Sequence, residues 1–210
     1  MFTGLVTTVA SIASATPLGT QTSHGKHVTL RVDPTWLQGV QLGDSIAISG
    51  ACMTVVDVQP DGFAFDISSE SLARTAGLDA VGALVNLEQS LSLSTKLGGH
   101  LVTGHVDGVG HVATFEQIGE SWLLEVDAPP ELGKFFAYKG SIVVNGVSLT
   151  INRVQDLPQH CRVSINLIPH TLQQTNLHQL RIGAAVNLEV DLIARYVERM
   201  LGTDRITHLV

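Results

Sequence analysis

Cysteine is scarce in this 210-residue chain: there are two, Cys52 and Cys161, and neither sits in a CxxC or any other metal spacing. Two such thiols make no disulfide framework and read as reduced, intracellular cysteines. Basic residues are also few. Twelve Lys and Arg against nineteen Asp and Glu leave a formal net charge of -7, and the twelve are scattered. A nucleic-acid surface needs a positive stripe to displace counterions, so DNA and RNA are excluded as expected partners. No apolar run reaches the length of a membrane span, which argues against a membrane partner. The first fifteen residues are apolar and end in "ASA", as a leader would, but the first positive charge is Lys26 and a basic n-region is missing. The expected location is cytoplasmic. The remainder is ordinary: 44% hydrophobic and 15% charged residues, in a chain long enough for one large domain or two compact ones.

The chain is written twice. "MFTGLVTTVASI" (1–12) lies over "LVTGHVDGVGHV" (101–112), so that Thr3, Gly4, Val6 and Val9 recur as Thr103, Gly104, Val106 and Val109. "SIAISGACMTVV" (45–56) matches "SIVVNGVSLTIN" (141–152), placing Cys52 over Ser148 and Thr54 over Thr150. "FDISSESLART" (65–75) matches "INLIPHTLQQT" (165–175), and "VGALVNLE" (81–88) matches "IGAAVNLE" (182–189). Four blocks in one order mark an internal duplication. The opening segment, whose twin lies mid-chain, is therefore expected to be a structural strand and not a leader.

Each copy reads as short strands. "HVTLRVD", "SIAISG", "MTVVDV", "FAFDIS" and "ALVNLE", with the opening stretch, give six, separated by Gly, Pro and Asp. The predicted fold is all-β: two tandem six-stranded antiparallel Greek-key-like barrels, each closed so that no sheet edge is exposed. "PTWLQG", "PPELGKFF" and "IPHTLQQT" are expected to form single helical turns. After the second copy the period changes, and "DLIARYVERML" (191–201) carries apolar residues at 192, 193, 196, 197, 200 and 201. That is one helical face, with Asp191 near its start, Arg199 near its end and Gly202 as a C-cap. The expected division is 1–97 and 98–190 for the barrels and 191–210 for helix and tail. A lone amphipathic helix must bury its stripe, and pairing with other subunits is favoured.

The histidines of "GGHLVTGHVDGVG" (98–110) raise the question of a metal. His100 and His105 point to opposite faces of a strand, whereas His105, Asp107 and His111 share a parity. The first copy has Leu5, Thr7 and Ser11 in those places, so no second metal site exists, and no metal is expected. Treated as half-sites, the copies offer matching parts: a turn glycine (Gly4, Gly104), a small polar cluster (Cys52, Met53, Thr54; Ser148, Leu149, Thr150) and a polar strand end (Asp66 to Ser71; Asn166 to Thr171). Backbone groups and hydroxyls at such places suit a flat heterocycle with alternating donors and acceptors. Taken singly, Thr54 and Thr150 are accounted for by β-propensity, and a lone Cys52 reads as a small buried hydrophobe. The copies differ where acid–base chemistry is decided: Leu5 against His105, Cys52 against Ser148, Glu70 against His170.

"MFTGLV", "GGHLVTGHVDG", "NGVSLTI", "LIPHTL" and the paired "VNLE" blocks together resemble the riboflavin synthase family, from residue 1 to about 200. The resemblance implies a homotrimer, joined through C-terminal helices, that takes two molecules of 6,7-dimethyl-8-ribityllumazine. A four-carbon unit passes from one to the other, giving riboflavin and 5-amino-6-ribitylamino-uracil without metal or organic cofactor. The site would lie where the N-terminal barrel of one subunit faces the C-terminal barrel of a neighbour. The substrate-binding residues it implies are Gly4, Leu5 and Val6 with Cys52, Met53 and Thr54, then Asp66, Ile67, Ser68, Ser69, Glu70 and Ser71 in the first barrel. In the second they are Gly104, His105 and Val106 with Ser148, Leu149 and Thr150, then Asn166, Leu167, Ile168, Pro169, His170 and Thr171. Lys139 resembles a lysine reaching the neighbouring subunit's site; by itself it reads as a solvated loop residue. His105, Ser148, Thr150 and Cys52 are the implied catalytic, proton-handling groups. Asp191 also resembles a catalytic position, and reads equally well as a helix-start charge. Phe2 is a packing wall. Departures from the family pattern fall in the first barrel: Ser49 for a common asparagine, Met53 for leucine, and Ser69 for the proline kept as Pro169. The alternative is a non-catalytic lumazine- or flavin-binding antenna protein of the same fold, in which the second-barrel motif is eroded. The sequence leaves open whether such a trimer joins a lumazine-producing enzyme.

Overall fold

The computed structural model describes residues 1–19 and 25–202. The first half forms β1 (Thr8–Pro17), β2 (Lys26–Arg31), β3 (Ser45–Ile48), β4 (Ala51–Gln59), β5 (Gly62–Ile67) and β6 (Leu84–Gln89). They close in the order β1-β2-β5-β4-β3-β6, every neighbour antiparallel, with β6 returning to β1. The second half repeats this with β7 (Gly108–Ile118), β8 (Ser121–Ala128), β9 (Ser141–Val144), β10 (Val147–Asp156), β11 (Cys161–Leu167) and β12 (Ala185–Val190). Alternation explains the strands. In β4, Ala51, Met53 and Val55 point into the core while Cys52 and Thr54 face outward. Closing so few strands requires sharp bends, and each barrel places register shifts at matching points: Ile12/Ser14 with Val112/Thr114, and Val55/Asp57 with Ile151/Arg153. Phe63, Phe65 and Leu87 fill the first core, Leu124, Ile142 and Leu188 the second.

The opening stretch departs from the sequence expectation. It does not form the first strand, which begins at Thr8. Phe2 instead bridges Val102 in antiparallel fashion, its N–H donating to the Val102 carbonyl at 2.8 Å. Beyond that bridge the two segments exchange barrels. Ser148 N–H donates to the Gly4 carbonyl and Cys52 N–H to the Gly104 carbonyl, both at 2.8 Å. Val6 packs against the second core and Val106 against the first. Each repeat thus lends its Thr-Gly turn to the other barrel. An alignment pairs residues with their twins, not with what they touch, so the exchange was invisible in it.

A pseudo-two-fold axis passes between Gly50 and Gly146. Both have left-handed φ, +88° and +82°, and a Cβ on either would stand within 2.9 Å of the other's backbone nitrogen. Asn86 and Asn187 stitch the barrels about this axis. Asn86 Nδ2 donates to the Asn145 carbonyl and Asn176 Oδ1, and Asn187 Nδ2 donates to the carbonyls of Ser49 and Ala76. Ser49, the departure noted above, does the work of its twin Asn145 with a shorter arm: its Oγ accepts from Asn86 N–H at 3.2 Å, where Asn145 Oδ1 accepts from Asn187 N–H at 2.8 Å.

Short helices link the strands: α1 (Ser69–Arg74), α2 (Pro169–Gln174), and 3-10 turns at Pro130–Phe135 and Asn176–Gln179. Here the expectation for Asp66 to Ser71 is corrected. The strand ends at Ile67, and from Ser69 the chain is helical, capped by Ser68 Oγ accepting from Ser71 N–H at 3.0 Å. "PTWLQG" forms hydrogen-bonded turns and no helix. The final helix, α3 (Leu192–Leu201), ends at Gly202 as expected. It is held by Lys134 to Glu198 at 2.6 Å and by Arg195 gripping both oxygens of Asp107 at 2.7 and 2.9 Å. Its Ile193, Val197, Met200 and Leu201 side chains are exposed. Among the described residues no helix is long and apolar enough to cross a membrane.

Candidate functional site

Two buried carboxylates fix the exchanged turns. Glu88 accepts from Thr3 N–H and Oγ1–H at 2.6 Å through one oxygen and from Gly4 N–H at 2.9 Å through the other. Glu189 does the same for Thr103 and Gly104, and takes a further bond from His105 N–H at 3.1 Å. Burial pushes both carboxyls above the usual glutamate range, against the pull of those donors. The glycines are needed here. Gly4 and Gly104 have φ of +74° and +77°, and a Cβ would fall 2.6 Å from the Cβ of Ser148 or Cys52.

The result on one side is a cleft of about 370 Å³ lined by Ala51, Cys52, Met53, Glu70, Ser71, Arg74, Thr75, Gly104, His105 and Val106. That is the size class of a pocket for one small ligand. It brings Cys52 and Met53 of the first barrel together with His105, which the family resemblance places in the second. His105 belongs to the Cys52 half-site, carried there by the exchanged turn. None of Ser148, Leu149, Thr150 or residues 166–171 lines this cleft.

The other half-site is the pseudo-symmetric place at β10. Ser148 and Thr150 face outward from the strand, as Cys52 and Thr54 do from β4, and Leu149 packs toward the core. Gly4 lies on Ser148, and Leu5 stands where His105 stands in the first. Here the linker also takes part. His100 donates its backbone N–H to the Thr3 carbonyl at 3.1 Å, and its ring Nδ1 lies 2.7 Å from Ser148 Oγ.

The other expected residues divide by what they touch. Ile67 and Leu167 are wholly buried core, so only their backbone is available to a ligand. Asp66 pairs with His27 at 2.7 Å, and Asn166 is exposed on β11. Ile168 occupies the cap position of α2, with Pro169 at its first turn, His170 exposed and the Thr171 carbonyl accepting from Thr175 Oγ1. Ser69 and Glu70 lie on α1, Glu70 beside Arg74 at 3.9 Å. Lys139 sits in the left-handed region with its Nζ on Asn152 Oδ1 at 2.8 Å. Asp191 caps α3, its Oδ1 accepting from Ile193 N–H at 2.9 Å. The Asp107 carboxylate is occupied by Arg195 and Val190 N–H, and among the described residues no three metal-ligating side chains converge.

Glu88, Glu189, Asn86 and Asn187 are site-forming residues beyond those expected from the sequence. The signal was present: Asn and Glu recur at the same places in two strands whose other members are apolar, and an ionisable residue kept there needs a partner. In the sequence His100 reads only as a possible metal ligand.

The Lumazine binding domain family model matches the chain twice, over residues 3–90 and 103–191. A riboflavin synthase of Photobacterium leiognathi is 39% identical over 208 residues, covering 98% of this chain and 91% of the relative. That of Bacillus subtilis (strain 168) is 37% identical over 202 residues, covering 96% and 90%. Among solved structures, LumP complexed with 6,7-dimethyl-8-(1'-D-ribityl) lumazine superposes with a TM-score of 0.77 at 26% identity, covering 90% of this chain and 99% of LumP. LumP complexed with riboflavin gives 0.79 at the same identity and coverage. Twin barrels exchanging their Thr-Gly turns, a doubled lumazine-domain match and full-length similarity to these enzymes agree: the chain belongs to the riboflavin synthase family.

Proposed function

We propose that the protein is a riboflavin synthase: it converts two 6,7-dimethyl-8-ribityllumazine molecules into riboflavin and 5-amino-6-ribitylamino-uracil. The observation that carries this is the pair of pseudo-symmetric half-sites with unlike chemistry, Cys52 with His105 in one and Ser148 with Thr150 in the other. A reaction that joins two copies of one molecule needs two related seats, and one that gives each copy a different role needs them to differ. One lumazine occupies the Cys52 cleft and the other the Ser148 half-site. Stacking them in opposite directions sets which atoms meet, and such preorganisation is worth up to about 7–11 kcal/mol in intramolecular models. The remaining work is proton transfer: one lumazine gives up a proton from its 7-methyl group and the other is activated. His105, Ser148, Thr150 and Cys52 are the groups assigned to it, with Asp191 near the second half-site. Both heterocycles supply all the atoms of both products, so the reaction balances without an external oxidant, reductant or group donor.

The two half-sites are completed across subunits of a homotrimer, the first of one chain against the second of its neighbour. The Cys52 cleft contains no second-half-site residue, and the exposed apolar face of α3 is the surface through which the copies associate. Lys139 then extends toward the neighbouring site. The test is incubation of the purified protein with 6,7-dimethyl-8-ribityllumazine in chelator. Riboflavin should appear at one molecule for every two lumazines consumed; tight binding without turnover would place the protein with the antenna class instead.

A further inference from the structure

His100 has no part in the chemistry described so far, yet both its backbone and its ring are tied into the second half-site. Its Nδ1 is 2.7 Å from Ser148 Oγ, and its backbone N–H donates to the Thr3 carbonyl. The preceding residue presses against the same hydroxyl: a Cβ on Gly99 would stand 3.0 Å from Ser148 Oγ and 2.1 Å from the Thr3 carbonyl oxygen. The chain therefore passes the serine at backbone contact, and the imidazole has little freedom to turn away. Its Nε2 is buried with no hydrogen-bond partner among the described residues. Buried polar atoms are normally paired, so an unpaired ring nitrogen beside a working hydroxyl marks a place where a ligand or its water is due. Burial also holds the imidazole below its usual pKa, with Asp191 pulling the other way. Cys52, the twin of Ser148, makes no side-chain hydrogen bond among the described residues.

We propose that His100 is the positioning residue of the second half-site: through its Nδ1 it locks the Ser148 hydroxyl rotor toward the bound heterocycle. A free hydroxyl samples several orientations, and only one serves the ligand; a neighbouring ring nitrogen 2.7 Å away removes the others in either tautomer. The difference between the half-sites then goes beyond Cys against Ser. The second has a fixed polar group and the first a loose one. This rests on the riboflavin synthase reading for its consequence, though not for its geometry.

The test is a double-mutant cycle in the full-length protein with His100→Ala, Ser148→Ala, the double variant and His100→Asn. Turnover of 6,7-dimethyl-8-ribityllumazine and riboflavin affinity by fluorescence quenching are both measured. His100→Ala should lower kcat about 10- to 100-fold with KM changed less than about 3-fold, the size of the loss when a side chain that orients a working group is removed. The double variant should match Ser148→Ala within about 2-fold, because contacting residues are not additive. His100→Asn, whose amide reaches the Nδ1 position, should recover most of the loss. Multiplying losses in the double variant, or an Asn variant as poor as Ala, would overturn the proposal. A direct readout guards against variants that merely misfold. In folded protein with ¹⁵N-labelled histidine, Ser148→Ala must move the His100 Nδ1 resonance, and an unmoved resonance refutes the contact. If no variant or parent turns over, the reaction reading fails, and the affinity cycle and the resonance still decide this one.

Discussion

Glu189 shows how much one buried side chain sets. Its two oxygens receive four donors, one of them the N–H of His105, so the carboxylate fixes the backbone that carries the imidazole into the Cys52 cleft. Burial raises this carboxyl. A carboxyl whose folded pKa exceeds its unfolded one adds stability while protonated, below about pH 4.3, and loses that contribution as pH rises through the folded value. Glu189→Gln removes the titration and leaves the Gly104 and His105 N–H groups facing an amide NH₂. The variant should lose about 1–3 kcal/mol at neutral pH, the cost of unsatisfied buried donors. Its deficit against the parent should widen between pH 7 and pH 4 in urea titrations, because only the parent gains from protonation. At this scale the sequence was legible in part. Thr3, Gly4, Thr103 and Gly104 stood out as turn residues because they recur, but their partners Glu88 and Glu189 lie about 85 residues away and read as ordinary members of apolar strands.

Strands were the most legible elements, because a half-buried barrel wall forces alternation and the duplication supplied each pattern twice. α3 was equally clear from its 3.6-residue stripe. The elements misread were those without a periodic apolar face. α1 buries none of its residues, so nothing in "SESLAR" except the Ser68 cap distinguished a helical turn from a polar strand end. The opening residues read as a strand because their twin lies mid-chain; their conformation is set instead by Phe2 docking on Val102. Where elements meet at the pseudo-two-fold axis, the contact is backbone to backbone. Gly146→Ala adds a Cβ 2.8 Å from Gly50 N and places it at φ +82°, so a loss of about 2–4 kcal/mol is expected from combined strain and displacement. Gly183→Ala has a similar φ of +84° but open space around it and should cost about 1 kcal/mol. Thermal melts of the two side by side separate close packing from backbone strain.

For the molecule as a whole, duplication produced two barrels, and exchange of the Thr-Gly turns made each half-site a joint product of both repeats. His105 sits with Cys52, and Leu5 sits with Ser148. The residues proposed to handle protons are therefore divided between two places on one chain, and the reaction as proposed brings them together only when a neighbour's second half-site meets the first. Mixing two impaired proteins tests this most directly. His105→Ala disables the Cys52 half-site and Ser148→Ala the other; each alone should form riboflavin slowly. Dissociated and reassembled together, they form mixed oligomers in which an intact first half-site of one chain can meet an intact second half-site of the other. The account predicts that riboflavin formation in the mixture rises well above that of either variant by itself. Activity no higher than the average of the two would contradict it, because it would mean that both lumazines react within a single chain.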